Sequence, residues 1–278
     1  MKIPRFKGIE ILIENALHED LSTIGDVTTD SIFKDETGKF YLQAKQDGVL
    51  CGKEIFIHVF RAVDESIEIT FYYSDGDKLT NGDRIASVEG SIKSILKSER
   101  VALNFLSHLS GISTKTAQYV SCLRGTVRIL DTRKTIPGLR ALQKYAVLCG
   151  GGKNHRMGLY GMVMIKDNHI DGAGGISCAV TKVRENLKEE ISIEVEVRNL
   201  QEVKEAIECN VDYIMLDNMS LEEMRKAVKL IGGRAKVEAS GNMTLDRIEE
   251  VSETGVDYIS VGELTHSVKA FDFSLKKE

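Results

Sequence analysis

The residues able to do chemistry in this chain are grouped in short strings. These are Asp131-Thr132-Arg133-Lys134, Lys166-Asp167-Asn168-His169, Glu194-Val195-Glu196, Asp217-Asn218, Ser240-Gly241 and Val261-Gly262. Cations dominate the first two strings, carboxylates the next two, and small residues the last two. Guanidinium and ammonium groups recognise carboxylates and phosphates. Glycine turns leave backbone N–H groups free to cradle an anion. Carboxylates meet a divalent cation or sugar hydroxyls. Together the strings point to a phosphorylated polyanion bound with a divalent cation.

The charge distribution supports that reading. The chain carries a net charge of −5, yet residues 131–169 hold seven Lys or Arg against Asp131 and Asp167. A basic island in an acidic protein is the footprint of a local anion site and speaks against a general nucleic-acid binder.

The strings follow stretches with strand character. From Val127 onward a β-then-α unit recurs, with strands predicted at 127–131, 162–166, 191–197, 212–217, 235–239 and 257–261. Helices are predicted at 139–148, 200–208, 221–230 and 245–253. Alternating β and α gives a parallel sheet with right-handed crossovers, and its chemistry gathers at the C-terminal ends of the strands. Six strands are too few for a closed eight-stranded barrel, so an incomplete barrel and a doubly wound sheet both remain open.

The N-terminal part follows a different pattern. An amphipathic helix over 7–19 precedes a turn-rich stretch, 21–30. Strands then follow at 40–44, 67–73 and 84–88, with a helix over 54–62 between the first two. Helical periodicity over 99–123 reads as two helices broken near Gly111 that connect two domains.

Composition is that of a globular protein, with 28% charged and 42% hydrophobic residues and no apolar run long enough for a bilayer. Lys2, Arg5 and Lys7 are followed by Glu10 and Glu14 with no apolar signal core, so a cytoplasmic location is expected and no membrane association. The five cysteines, Cys51, Cys122, Cys149, Cys178 and Cys209, form no CxxC pair, and reduced buried thiols are the expectation.

The run Asp131-Thr132-Arg133-Lys134-Thr135-Ile136-Pro137-Gly138-Leu139-Arg140 closely resembles quinolinate phosphoribosyltransferase. So do Lys144-Tyr145-Ala146-Val147, Gly150-Gly151-Gly152, Asn154-His155-Arg156 and Lys166-Asp167-Asn168-His169. Glu99-Arg100-Val101-Ala102-Leu103-Asn104 and Glu238-Ala239-Ser240-Gly241 extend the likeness, which runs from Gly25-Asp26-Val27-Thr28 to Leu264-Thr265-His266-Ser267. Ordered strings of this length are far more specific than a lone glycine motif.

The resemblance implies an α/β protein with an N-terminal α/β sandwich domain, residues 1–110, and an open, incomplete α/β barrel, residues 111–267. Residues 268–278 pack with the first domain on this view. It implies a glycosyltransferase that makes nicotinate mononucleotide, pyrophosphate and CO2 from quinolinate and phosphoribosyl pyrophosphate. It also implies a homodimer or higher even oligomer in which Arg100 enters the neighbouring site. Arg133, His155, Arg156 and Lys166 would hold quinolinate with Arg100. Lys134, Ser240, Gly241 and Gly262 would hold the phosphoribosyl group, with Lys134 also catalytic. Glu196 and Asp217 would meet Mg2+ directly or through water, with Glu194 a competitor for Glu196. No organic cofactor is expected.

Two positions depart from the family pattern. Gly161 stands where an aspartate is common, with its effect expected on stability and away from the rim, and Asn242 stands where glycine is common. Three other readings remain: a related phosphoribosyltransferase for another ring, a lyase using Lys166 as a Schiff-base amine, and a non-catalytic sensor of a phosphoribosyl ligand.

Overall fold

The computed structural model describes residues 8–278. Lys2, Arg5 and Lys7 lie outside the described residues. In chain order the first elements are α1 (Ile9–Leu21), α2 (Val27–Ile32), β1 (Thr37–Ala44), β2 (Gly48–Val49), α3 (Lys53–Val63), β3 (Glu68–Phe71), β4 (Lys78–Leu79), β5 (Arg84–Ser91) and α4 (Ile92–Ser121). Then come β6 (Arg128–Leu130), α5 (Arg140–Cys149), β7 (Val163–Ile165), α6 (Asp167–Ala173), α7 (Ile176–Asn186), β8 (Ile193–Val197), α8 (Leu200–Glu208), β9 (Tyr213–Asp217) and α9 (Leu221–Ile231). The last are β10 (Lys236–Ser240), a 3-10 turn at Leu245–Arg247, α10 (Ile248–Ser252), β11 (Tyr258–Ser260), α11 (Glu263–His266) and β12 (Phe273–Lys277).

The chain divides into two compact units. The first takes in residues up to Ala117, Ala141–Gly151 and Ser267–Glu278; the second takes in Gln118–Arg140 and Gly152–His266.

In the first unit a sheet of order β12-β1-β5-β3 is antiparallel throughout. The C-terminal strand β12 thus pairs with β1. Helix α3 buries Ile55, Phe56, Val59 and Phe60, the i, i+1, i+4, i+5 stripe of one helical face. Phe56 meets Phe71 of β3 edge-on at 5.5 Å, which fixes the helix against the sheet.

Two expectations for this part change. The stretch 21–30 is not all turn: Asp26 accepts from the Thr28 and Thr29 amides and starts α2. Residues 92–121 form one unbroken helix rather than two. Gly111 does not break α4, because its lack of a side chain answers a close approach: a Cβ there would lie 2.4 Å from the Lys269 carbonyl oxygen.

The second unit holds a six-stranded parallel sheet of order β6-β11-β10-β9-β8-β7. The consecutive strands β6 and β7 form its two edges, so the barrel is open. All six strands read from the sequence are present, each within two residues at either end. Helices follow them for local reasons. Asn199 caps α8 through the Gln201 and Glu202 amides, and Ser220 with Glu223 forms a capping box on α9, which Gly232 ends in the left-handed region.

Helices α6 and α7 were not expected. Asp167-Asn168-His169, which follow β7, form the first turn of α6, with His169 Nδ1 accepting from the Lys166 amide. The 245–253 helix is a 3-10 turn followed by one short helix. Among the five free cysteines only Cys51 is buried, so the expectation of buried thiols holds for one of them.

Candidate active site

Strand alternation sends one set of β8 side chains outward and the other inward. Ile193, Val195 and Val197 are buried, while Glu194 and Glu196 share the opposite face at different depths. Glu194 is fully enclosed, whereas Glu196 at the strand end reaches a cavity of about 540 Å³. That volume suits a small-molecule site. Its lining comes from every strand of the second sheet: Thr132, Arg133 and Lys134 after β6, Lys166 after β7, Glu196 from β8, Asp217 from β9, Ser240 and Gly241 from β10, and Ser260 from β11.

Two guanidinium groups dominate one side. Burial, and then the neighbouring charge of Arg133, push the Arg156 guanidinium below its usual range. Arg156 donates to the Met162 carbonyl at 3.0 Å and to the Met164 sulfur at 3.4 Å, which anchors it without neutralising it. Neither arginine forms a salt bridge among the described residues. Two guanidiniums in one cavity without salt-bridge partners are chemically able to pair with two anionic groups.

Lys166 differs, because its ammonium is held by the Glu196 carboxylate. That ion pair is the opposite of the apolar surroundings that activate a Schiff-base amine. Asp217 accepts from Asn218 Nδ2 at 2.9 Å and stands in register with Ser240 on β10. Two hard carboxylates on neighbouring strand ends, beside an anion receptor, match how Mg2+ is held: by one or two carboxylates, water and substrate phosphates. The donor set therefore fits that ion.

The side of the cavity lined by Ser240, Gly241 and Asn242 is a pair of interlocked turns. Gly241 has φ +90° and Asn242 φ +49°. Asn242 donates to Asn218 Oδ1 at 3.1 Å, so asparagine supplies the left-handed conformation that a glycine would. Gly262 lies against Lys134, whose Cδ would be 3.0 Å from a Cβ at that position.

At the cavity floor lies a polar cluster, with His155 and Glu238 in the lining and Glu194 beneath it. His155 Nε2 is 3.1 Å from Glu194 Oε2 and 3.4 Å from Glu238 Oε2. Burial pushes the imidazole down, but the two carboxylates outweigh it and raise His155 to about 9. Burial and the charge of Glu238 raise Glu194 to about 7. The cluster thus keeps a shared proton. The Arg156 amide, 2.7 Å from Nδ1, requires a lone pair there and so favours that proton on a carboxyl group.

A second cavity of about 490 Å³, lined by Arg124 and Lys236 among others, lies at the opposite strand ends. Two of its cations are paired, Arg124 with Glu249 and Lys236 with Asp257, while Arg128 and Lys153 also line it.

The family models for quinolinate phosphoribosyl transferase match the chain almost end to end, the N-terminal domain over residues 26–110 and the C-terminal domain over 112–276. The chain belongs to the quinolinate phosphoribosyltransferase family. A chloroplastic, carboxylating nicotinate-nucleotide pyrophosphorylase of Arabidopsis thaliana is 44% identical, over 96% of this chain and 82% of the relative. A mitochondrial, decarboxylating quinolinate phosphoribosyltransferase of Nicotiana glauca is 43% identical, over 95% of this chain and 81% of the relative. Among solved structures, NadC from Streptococcus pyogenes is 42% identical, with a TM-score of 0.95 and coverage of 100% of this chain and 99% of that one. The nicotinate-nucleotide pyrophosphorylase from Francisella tularensis is also 42% identical, with a TM-score of 0.96 and coverage of 100% and 98%.

Within this phosphoribosyltransferase, Arg133, Lys134, His155, Arg156, Lys166, Glu196, Asp217, Ser240 and Gly241 share one cavity. Gly262 adjoins it through Lys134. Arg100 is exposed on α4 in the first unit and is not part of this lining. Strand β6 ends at Leu130, and the chain after it brings both Arg133 and Lys134 to the cavity. His155 presents both ring nitrogens to protein atoms. Gly161 is closer to the site than expected, with a Cβ there falling 3.5 Å from Arg156 Cβ.

Sequence reasoning missed the buried supports. Asp131 accepts from the Asn154 side chain at 2.5 Å and from the His155 amide at 2.9 Å. Glu238 accepts from the Ser260 hydroxyl. The available signal was position: Glu238 stands two residues before Ser240, on the same strand face.

Proposed function

We propose that this cavity holds quinolinate beside phosphoribosyl pyrophosphate and converts them to nicotinate mononucleotide, pyrophosphate and CO2, the step that feeds de novo NAD biosynthesis. The observation that carries the reading is the pair of guanidiniums, Arg133 and Arg156, that line one cavity and form no salt bridge among the described residues. Quinolinate supplies two adjacent carboxylates, one for each guanidinium, whereas a monocarboxylate would leave one of the two cations in the cavity without a partner.

In the proposed reaction the pyridine nitrogen attacks the ribose carbon as the bond to pyrophosphate breaks, the electron pair leaving with pyrophosphate. The nitrogen becomes a pyridinium. The carbon–carboxylate bond beside it then breaks, CO2 departs, and the electron pair remains on the ring carbon, which takes a proton from water. The cationic nitrogen is the electron sink, so no organic cofactor is needed. The protein aligns the reactants and stabilises charge.

Arg133, Arg156 and Lys166 would orient the dicarboxylate. Lys134 would meet the departing pyrophosphate, and Ser240, Gly241 and Gly262 would hold the 5'-phosphate. Mg2+, which would neutralise charge on the leaving group, fits Glu196 and Asp217. We also place Arg100 in the site of a second copy, within a dimer or higher even oligomer; its exposure and its absence from this chain's own cavity lining support that. A cytoplasmic location belongs to the proposal, since both substrates are charged solutes.

Incubation with quinolinate, phosphoribosyl pyrophosphate and Mg2+, with CO2 and pyrophosphate followed together, tests the reading. Equal release of both is expected, with loss of turnover on chelation. Pyrophosphate release without CO2 overturns it.

A further inference from the structure

The enclosed carboxylate of Glu194 has no place in the reaction as written. It lies below the cavity, outside its lining, and its side chain is 0% exposed. One of its oxygens, Oε1, is buried without a hydrogen-bond partner. Burying a carboxylate is costly, and an apolar residue of similar size would serve packing better. Native proteins leave few such groups unsatisfied, so the cost calls for a purpose.

The purpose is visible in what the other oxygen holds. Oε2 faces His155 Nε2 at 3.1 Å, and Glu238 Oε2 faces the same nitrogen at 3.4 Å. On the far side of the ring, Nδ1 accepts the Arg156 amide at 2.7 Å. The His155 amide is separately tied to Asp131. The imidazole is thus a rigid strut between carboxylates in the barrel interior and the main chain of Arg156. Fixing which nitrogen carries the proton fixes which can accept, and Nε2–H directed at carboxylates leaves Nδ1 to receive the amide.

We propose that Glu194, aided by Glu238, is a positioning residue for dicarboxylate recognition: through His155 it orients the backbone of Arg156, and so the guanidinium that receives one substrate carboxylate. This rests on the reading of Arg156 as a quinolinate ligand. Bidentate recognition demands that the guanidinium plane be set to within a fraction of an ångström, and a side chain on a connecting loop needs such support.

Three variants, with melting curves and steady-state constants for each substrate, test it. Glu194→Leu removes the acceptor without leaving a buried charge. Its melting temperature is expected to stay near wild type, while the KM for quinolinate rises at least about tenfold and that for phosphoribosyl pyrophosphate changes less than about threefold. Glu194→Gln retains an oxygen acceptor for Nε2–H and is expected within about threefold of wild type for both substrates. Arg156→Ala combined with Glu194→Leu should be no worse than Arg156→Ala alone, since the two act in series.

Equal effects on both substrates, additive losses in the double variant, or a fall in melting temperature with unchanged KM would each overturn the positioning role. Should Glu194→Leu not fold, Glu194→Gln still decides: a large rise in quinolinate KM there overturns the acceptor role, and near-wild-type constants support it. If Arg156→Ala alone leaves quinolinate KM unchanged, the error lies in the ligand assignment of Arg156, and the two failures are thereby separated.

Discussion

A Cβ on Gly241 would fall 2.2 Å from Oδ1 of Asn218. Asn218 sits at φ +53°, donates to Asp217 and accepts from Asn242, so the ends of β9 and β10 are locked through one amide side chain. Gly241→Ala faces both that clash and a φ of +90°, a combined strain of about 1–3 kcal/mol. The KM for phosphoribosyl pyrophosphate is expected to rise roughly tenfold, with quinolinate affinity little changed. Steady-state kinetics with each substrate varied in turn gives the answer, and an equal rise for quinolinate would separate this turn from the phosphate.

Arg133→Lys keeps the charge beside Arg156 but loses the planar fork that pairs with a carboxylate. Loss of one charge-assisted hydrogen bond costs about 1.5–3 kcal/mol. The ratio kcat/KM for quinolinate should therefore fall about 10- to 150-fold. Calorimetric titration with quinolinate provides an independent check, and unchanged affinity would remove Arg133 from the receptor.

Lys134 lines the cavity and leans on Gly262. A cation that stabilises the departing pyrophosphate acts on turnover more than on ground-state binding of the other substrate. Lys134→Ala should lower kcat by about 100-fold or more, with the quinolinate dissociation constant close to wild type. Wild-type turnover in this variant would end the assignment.

The strand ends were legible in the sequence because each closes on a charge or a glycine, and parallel β/α order alone brings such ends to one rim. The depth of a residue within the barrel was not. Period-two alternation puts Glu194 and Glu196 on one face, and only the packing of the folded sheet makes one a buried partner of His155 and the other a cavity wall. Asp131 and Glu238 escaped for the same reason, since their partners, Asn154 and Ser260, lie far off in the chain. The supposed break at Gly111 failed because the glycine answers a distant carbonyl and not its own helix.

Asp26 offers an acid-sensitive contact in the first unit. Hydrogen bonds from Thr29, with that from the Thr28 amide, hold its carboxyl below the usual carboxylate range. A depressed native pKa gives stability that is present above the ordinary carboxylate value and lost as pH falls through the native one. The group is only half-buried, so solvent screening keeps the effect small. Asp26→Ala should cost about 0.5–1 kcal/mol at pH 7, and urea melts should show that difference shrinking toward pH 3. A pH-independent gap would place the cost elsewhere than the charged cap.

Gly111→Ala sets two effects against each other inside α4. Helix propensity alone favours alanine by about 1 kcal/mol. Against it, the new Cβ would lie 2.4 Å from the Lys269 carbonyl oxygen and 3.0 Å from Val268 Cγ1. That carbonyl cannot easily retreat, because the Phe271 amide two residues on is bonded to the Ser107 carbonyl at 2.9 Å and the Phe271 side chain is buried. Overpacking of this kind costs about 1–3 kcal/mol, so the contact wins and the variant should melt below wild type. A rise in melting temperature would mean that α4 and the 268–271 segment separate enough in solution for propensity to govern.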